Sequence, residues 1–175
     1  MRARAIDAPS RVYIALGSGG SAAGIAIGCA IEGLETEIVA VRASNPTTVT
    51  DAKLHAIVAE TIAFARERDP SFPDVASRVR LRIDGRFVGP GYGSPTPAGE
   101  ASIVRARDAA GWELEPVYTG KALAALLADA KEALRGPVLF WNTQSSRPLA
   151  EASVPEAFRA FVDDAHASRP KSRML

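Results

Sequence analysis

Gly17-Ser18-Gly19-Gly20-Ser21 is the segment whose residue types point most directly to binding chemistry. It lies between a short apolar run, Val12–Leu16, and a stretch of small residues that reaches Ile31. Glycines let the backbone approach an anion closely, and successive N–H groups can then point at its oxygens. A helix beginning there adds the partial positive charge of its N-terminus, and the Ser18 and Ser21 hydroxyls are further donors. That chemistry is phosphate binding. No Gly-Lys-Ser/Thr follows, so the segment is not a P-loop. A dinucleotide fingerprint would need an acidic residue after the second strand, where Arg42 stands instead. The plain alternative is a strand-to-helix turn with no ligand.

Three further segments carry reactive or hydrogen-bonding side chains. In Val88-Gly89-Pro90-Gly91-Tyr92-Gly93-Ser94-Pro95-Thr96, glycines flank a tyrosine that a tight loop could hold in a cleft. A surface turn with a packed aromatic explains the same residues. Glu115-Pro116-Val117-Tyr118-Thr119-Gly120-Lys121-Ala122 joins an extended segment to a helix, for which Thr119 is a candidate cap. Leu139-Phe140-Trp141-Asn142-Thr143-Gln144 is a buried strand ending in polar side chains. In open α/β sheets ligands sit at such strand ends.

These segments need a scaffold, and the apolar pattern describes one. Val12–Leu16, Glu37–Val41, Val79–Ile83 and Val138–Trp141 read as strands. Helices are expected over residues 22–31, from an Asp51 cap to Arg68, over 100–110 with Gly111 closing it, and over 121–134. Residues 112–117 read as extended, and one further helix is expected around residues 155–166. Near-continuous apolar strands separated by helices indicate an α/β fold: a mostly parallel sheet with helices on both faces.

Composition narrows the function classes. With 175 residues the chain suits one domain at about 150 residues each. Its 21 Lys+Arg against 20 Asp+Glu lack the basic excess of a nucleic-acid binder. The single cysteine, Cys29, excludes a disulfide framework and reads as a small buried hydrophobe in a reducing cytosol. His55 and His166 are too few and too scattered for a metal centre. Ala26-Ile27-Gly28-Cys29 faintly resembles a lipoprotein cleavage box, but the glycine loop interrupts the hydrophobic stretch before it. No apolar run reaches the roughly 20 residues of a membrane span. The expectation is a cytoplasmic domain that binds neither membrane nor nucleic acid.

In order, the four segments resemble one family. A Gly-Ser-Gly-Gly loop, a Gly-x-Gly-Tyr-Gly loop, an Asp/Glu-Pro-Val-Tyr-x-Gly-Lys segment and a late strand ending in Thr are similar to the tryptophan-synthase-β-like, fold type II pyridoxal-phosphate enzymes. The branch is that of D-cysteine desulfhydrase and 1-aminocyclopropane-1-carboxylate (ACC) deaminase. The resemblance spans residues 11–145 and implies the C-terminal half of the cofactor-binding large domain, with residues 146–175 unmatched. It implies pyridoxal 5'-phosphate as cofactor, its phosphate held by Gly17, Ser18, Gly19, Gly20 and Ser21. Ser21 stands where the family usually has Thr. Tyr92 and Tyr118 match two active-site tyrosines that assist proton transfer. Thr119 and Thr143 match positions around the pyridine nitrogen, where deaminases usually carry Glu and Leu. Hydroxyls there point to the desulfhydrase side, which converts an amino acid to a keto acid, ammonia and sulfide.

Three departures accompany the resemblance. Asn142-Thr143-Gln144-Ser145 replaces the usual His-Thr-Gly-Gly. Residues 146–175 match nothing. Family chains are also much longer, and their cofactor-anchoring lysine sits in an N-terminal Ser-x-x-Gly-Asn-Lys context that this sequence lacks. Lys121 belongs to the Tyr-x-Gly-Lys motif, and Lys53, Lys131 and Lys171 read as solvated charges. The first reading is therefore a fragment of a lyase acting on a small amino acid, active only with the missing N-terminal half in trans or within a longer natural chain; its expected partners are that half or a homo-oligomer. The alternatives are a catalytically inactive family member acting as a binding or interaction subunit, and a dinucleotide-binding oxidoreductase domain supported by the glycine loop alone.

Overall fold

The computed structural model describes residues 7–132 and 134–144. The helix expected around residues 155–166 lies outside the described residues. Four strands, β1 (Arg11–Leu16), β2 (Glu37–Arg42), β3 (Leu81–Asp84) and β4 (Val138–Trp141), form one parallel sheet in the order β3-β2-β1-β4. Val12 pairs with Ile38 on one side and with Leu139 on the other. This is the α/β arrangement expected from the apolar pattern.

Alternation along β1 and β2 explains the layers. Val12, Ile14, Leu16, Ile38 and Ala40 pack with Ala22 and Ala26 of α1 (Gly20–Ile31) and Leu54 of α2 (Asp51–Arg68). Tyr13, Val39 and Val41 point the other way, onto Ala122 and Ala125 of α4 (Thr119–Ala130). Side chains of period two thus require a helical cover on each face. The remaining helix, α3 (Pro97–Ala110), packs on α4.

Several boundaries differ from expectation for identifiable reasons. Thr50 caps α2 in place of Asp51, its hydroxyl accepting from the Lys53 N–H, and Asp51 becomes the first helical residue. One turn of 3₁₀ helix at Ala76–Arg78 delays β3 to Leu81. Thr96 caps α3, which ends as expected at Gly111 in the left-handed conformation, φ 65°. Residues 116–118 form a turn where an extended segment was expected, and α4 stops at Ala130. Cys29 is half-buried against the core, and burial pushes its thiol pKa up. Among the described residues, no helix is long and apolar enough to cross a membrane, and no cluster of potential metal ligands occurs.

Candidate active site

In the order β3-β2-β1-β4, the chain leaves β1 toward β2 on one side and reaches β4 on the other. The gap beyond the C-terminal ends of β1 and β4 is therefore the topological switch point, where open α/β sheets bind ligands. A cleft of about 330 Å³ opens there, lined by the Gly17–Ser21 loop, Tyr118 and Thr143. These residues are far apart in sequence, and the topology alone brings them together.

The loop is built to leave donors free. Gly19 sits at φ 101°, a conformation that L side chains rarely adopt, and a Cβ there would lie 2.9 Å from Leu54 Cδ1. It is the N-cap of α1 and has no side chain with which to cap it. Ala23 N–H is bonded to the Gly19 carbonyl at 2.9 Å, so the N–H groups of Gly20, Ser21 and Ala22 precede the helical ladder. No acidic residue occupies the first turn. The Ser18 and Ser21 side chains are exposed beside these N–H groups. Ser44, after β2, braces the loop by donating to the Gly17 carbonyl at 3.4 Å.

Tyr118 closes one side of the cleft. Its Cε1 lies 3.3 Å from where a Cβ on Gly17 would be, so the ring stacks close to the loop backbone. Its hydroxyl is 2.8 Å from that of Tyr92, and the two rings meet edge to face with centroids 6.1 Å apart. The Tyr92 hydrogen bond, burial and the nearby Glu115 charge push the Tyr118 pKa up to about 12. Tyr118 thus stays protonated at neutral pH, and either hydroxyl of the pair can be the donor.

Glu115, to which no motif gives a role, sets Tyr118. Its carboxylate accepts from the backbone N–H groups of Val117, Tyr118 and Thr119 at 2.8, 2.9 and 2.6 Å. It also accepts from the Thr119 hydroxyl at 3.1 Å, and that hydroxyl accepts from the Glu115 N–H at 2.9 Å. Glu115, rather than Thr119, therefore satisfies the start of α4. The available signal was a carboxylate placed just ahead of a helix start. Thr119 is buried and its hydroxyl is held by Glu115, whereas Thr143 is exposed on the cleft. Asn142 Oδ1 accepts from the Gln144 N–H at 3.0 Å, making a turn without the family's glycines.

Among the described residues no lysine lines the cleft. Lys121 Nζ donates to the Val88 carbonyl at 2.8 Å and Lys53 Nζ to the Thr48 carbonyl at 3.0 Å, while Lys131 is exposed beyond α4. Arg42 is buried, with its guanidinium donating to the Val49 carbonyl at 2.6 Å. It stitches the loop after β2 and offers nothing to a dinucleotide ribose.

A parallel sheet with a glycine loop, free helix N-terminal N–H groups and a tyrosine pair at its switch point defines the class: an α/β domain with a cleft at the C-terminal ends of its strands. Comparison narrows it. The chain is 31% and 32% identical, over 143 residues, to D-cysteine desulfhydrases of two Klebsiella pneumoniae strains. Those matches cover 80% of this chain and 41% of each relative. The crystal structure of an ACC deaminase homologue superposes with a TM-score of 0.63 at 26% identity, covering 81% of this chain and 41% of that one. No protein-family model matches. Over most of its length the chain is thus similar to D-cysteine desulfhydrases and to an ACC deaminase homologue, and it spans less than half the length of the relatives it matches.

Proposed function

We propose that this chain is the phosphate-gripping and tyrosine-bearing part of a D-cysteine desulfhydrase-like lyase that uses pyridoxal 5'-phosphate. The observation that carries the reading is the convergence of the Gly17–Ser21 loop, Tyr118 and Thr143 on one cleft, with Tyr92 hydrogen-bonded behind Tyr118. The cradle suits a phosphate: donors without helical partners, no competing carboxylate, and open space around Gly20, where an added Cβ would meet nothing within 4 Å. A cleft of about 330 Å³ falls at the small end of ligand sites, about 300–1,000 Å³.

Pyridoxal phosphate, when bound, supplies the electron sink for chemistry at the amino-acid Cα. The residues of this chain do the rest of what can be assigned. Gly20, Ser21 and Ala22 N–H groups, with the Ser18 and Ser21 hydroxyls, hold the phosphate. Tyr118 holds a proton at its Oη and exchanges it with the Oη of Tyr92, a residue that is 59% exposed. With Thr119 engaged by Glu115, Thr143 is the hydroxyl left to meet the ring nitrogen. A hydroxyl does not enforce protonation there as a carboxylate would, which suits loss of a good leaving group such as sulfide.

Titration with pyridoxal phosphate and with inorganic phosphate tests the reading, with Gly20→Asp as the control. The expected result is saturable binding that the substitution abolishes; equal binding by both proteins refutes the assignment. One observation favours a second reading, a catalytically inactive binding subunit: no described lysine reaches the cleft. Activity regained on adding a lysine-bearing N-terminal half separates the two.

A further inference from the structure

We infer that Lys121 is the positioning residue of the tyrosine pair: its side chain grips the Val88 carbonyl and thereby fixes the loop that brings Tyr92 to Tyr118. The inference rests on the Tyr92–Tyr118 contact, which the proposed function uses, and not on the cofactor.

Lys121 is fully buried, with 0% exposure, which lysines almost never are unless paired. Its Nζ donates to the Val88 carbonyl at 2.8 Å, a contact across 33 residues. The same first turn of α4 thus carries Tyr118 at its cap and Lys121 within it, while the loop after β3 carries Val88 and, four residues on, Tyr92. One bond joins the carriers at their bases and the other joins them at the hydroxyls.

Packing does not hold Tyr92 in place. The residue is 59% exposed, and Gly89-Pro90-Gly91 precedes it. An exposed ring on a glycine loop goes where the loop stem sends it. Arg86 anchors that stem further back, through Asp84 and through Asp129 at the other end of α4; among the described residues Val88 is then the last before Tyr92 to be hydrogen-bonded outside the loop, the Gly91 carbonyl bonding only Ser94 N–H within it. Burial depresses the Lys121 pKa against the opposing charge of Glu115, so the buried amine is an energetic burden unless the contact it makes has a use.

The test uses the whole chain without cofactor, labelled with ¹³Cζ-tyrosine, so that Tyr13, Tyr92 and Tyr118 each give a signal. Tyr118→Phe and Tyr92→Phe assign them. At pH 11 a midpoint near 12 keeps wild-type Tyr118 mostly protonated. Tyr92→Phe calibrates the loss of the pair by shifting that midpoint down toward 10, the ordinary tyrosine value. Lys121→Met is expected to match this shift, so that Tyr118 becomes mostly ionised at pH 11. Tyr13, held high by burial and by Asp129, should not move. Lys121→Arg, which keeps a donor, should restore at least half of the shift. A Tyr118 midpoint unchanged by Lys121→Met overturns the inference, and so does a fall of Tyr13 and Tyr118 together, which is the mark of general loosening. If Lys121→Met does not fold, Lys121→Gln and Lys121→Arg are compared instead. A larger shift in Gln supports the inference, and no shift in either refutes it.

Discussion

The two ends of the sheet carry clefts of opposite character. At the N-terminal ends of the strands lies the larger one, about 560 Å³, lined by Arg11, Arg80, Arg82 and Arg135 together with Glu35 and Glu37. At the C-terminal ends lies the smaller glycine cleft, without a charged residue among its lining. Volume and formal charge both favour the first as an anion site. Three of its four arginines, however, are already paired: Arg11 and Arg82 bond Glu37 at 2.8 and 3.1 Å, and Arg80 bonds Glu35 at 3.2 Å. The glycine cleft offers backbone N–H groups of Gly20, Ser21 and Ala22 that, among the described residues, no carbonyl or side chain claims. A ligand site is recognised by donors left free.

The largest effect concerns chemistry. The glycine cleft has the glycine loop and Tyr118 among its lining, and no lysine among the described residues. The 175-residue chain with pyridoxal phosphate should release sulfide or pyruvate from D-cysteine no faster than pyridoxal phosphate alone. A positioned general base by itself is typically worth about 10²–10⁴-fold. A rate above the cofactor background would show that one of the chain's lysines serves as that base. Adding a family N-terminal half should restore activity by at least that factor.

Binding comes next. Gly20→Asp places a carboxylate at the first turn of α1, where space is open. The helix tolerates it, since an anion at an N-terminus stabilises by about 0.3–1 kcal/mol. Phosphate affinity should nevertheless fall at least tenfold, because the new carboxylate takes the donors and repels the ligand. Calorimetry and thermal melting together check the split. Gly19→Ala instead should cost about 1–3 kcal/mol of stability, from the backbone strain at φ 101° and the Leu54 contact.

How far these ends were legible in the sequence follows from how local their determinants are. The glycine loop, the apolar runs of β1 and β2 and the Gly111 stop are contiguous patterns, and they could be read directly. The tyrosine pair is joined by residues 26 apart, and only the family pattern suggested that both belonged to one site. The buried polar cluster beneath the sheet went unread. Tyr13 donates to Asp129 at 2.7 Å across 116 residues, and Arg86 joins Asp84 to Asp129 at 2.6 and 2.5 Å. Nothing in the spacing of such residues announces their meeting. The same holds for Glu115, whose value lies in backbone N–H groups that no side-chain motif records.

That cluster has a pH signature. Burial raises the Asp84 carboxyl, but hydrogen bonds and charge from Arg86 outweigh it, and the net pKa lies below the ordinary 3.8. A carboxylate depressed in the folded state contributes stability that is fully present above its unfolded value and lost as pH falls through the folded one. Wild type should therefore lose stability below about pH 4 more steeply than Asp84→Asn, as followed by denaturant melts from pH 5 downward.

The smallest effect tests the contrast most directly. Glu37→Gln removes the carboxylate that holds both Arg11 and Arg82 at the charged end. All three side chains are partly exposed, so each pair contributes only about 0.2–1 kcal/mol and less in high salt. Arg82 keeps Asp129 at 3.7 Å, which further limits the loss. Stability should hardly change, but the anion chemistry should. If free donors distinguish the two ends, releasing Arg11 beside Arg135 should create a weak second phosphate site, sensitive to salt and unaffected by Gly20→Asp. Phosphate titration of Glu37→Gln and of the double variant reads this directly. If the single variant gains no second site, donor availability does not separate the two ends, and the phosphate binding proposed for the glycine cleft must rest on its shape.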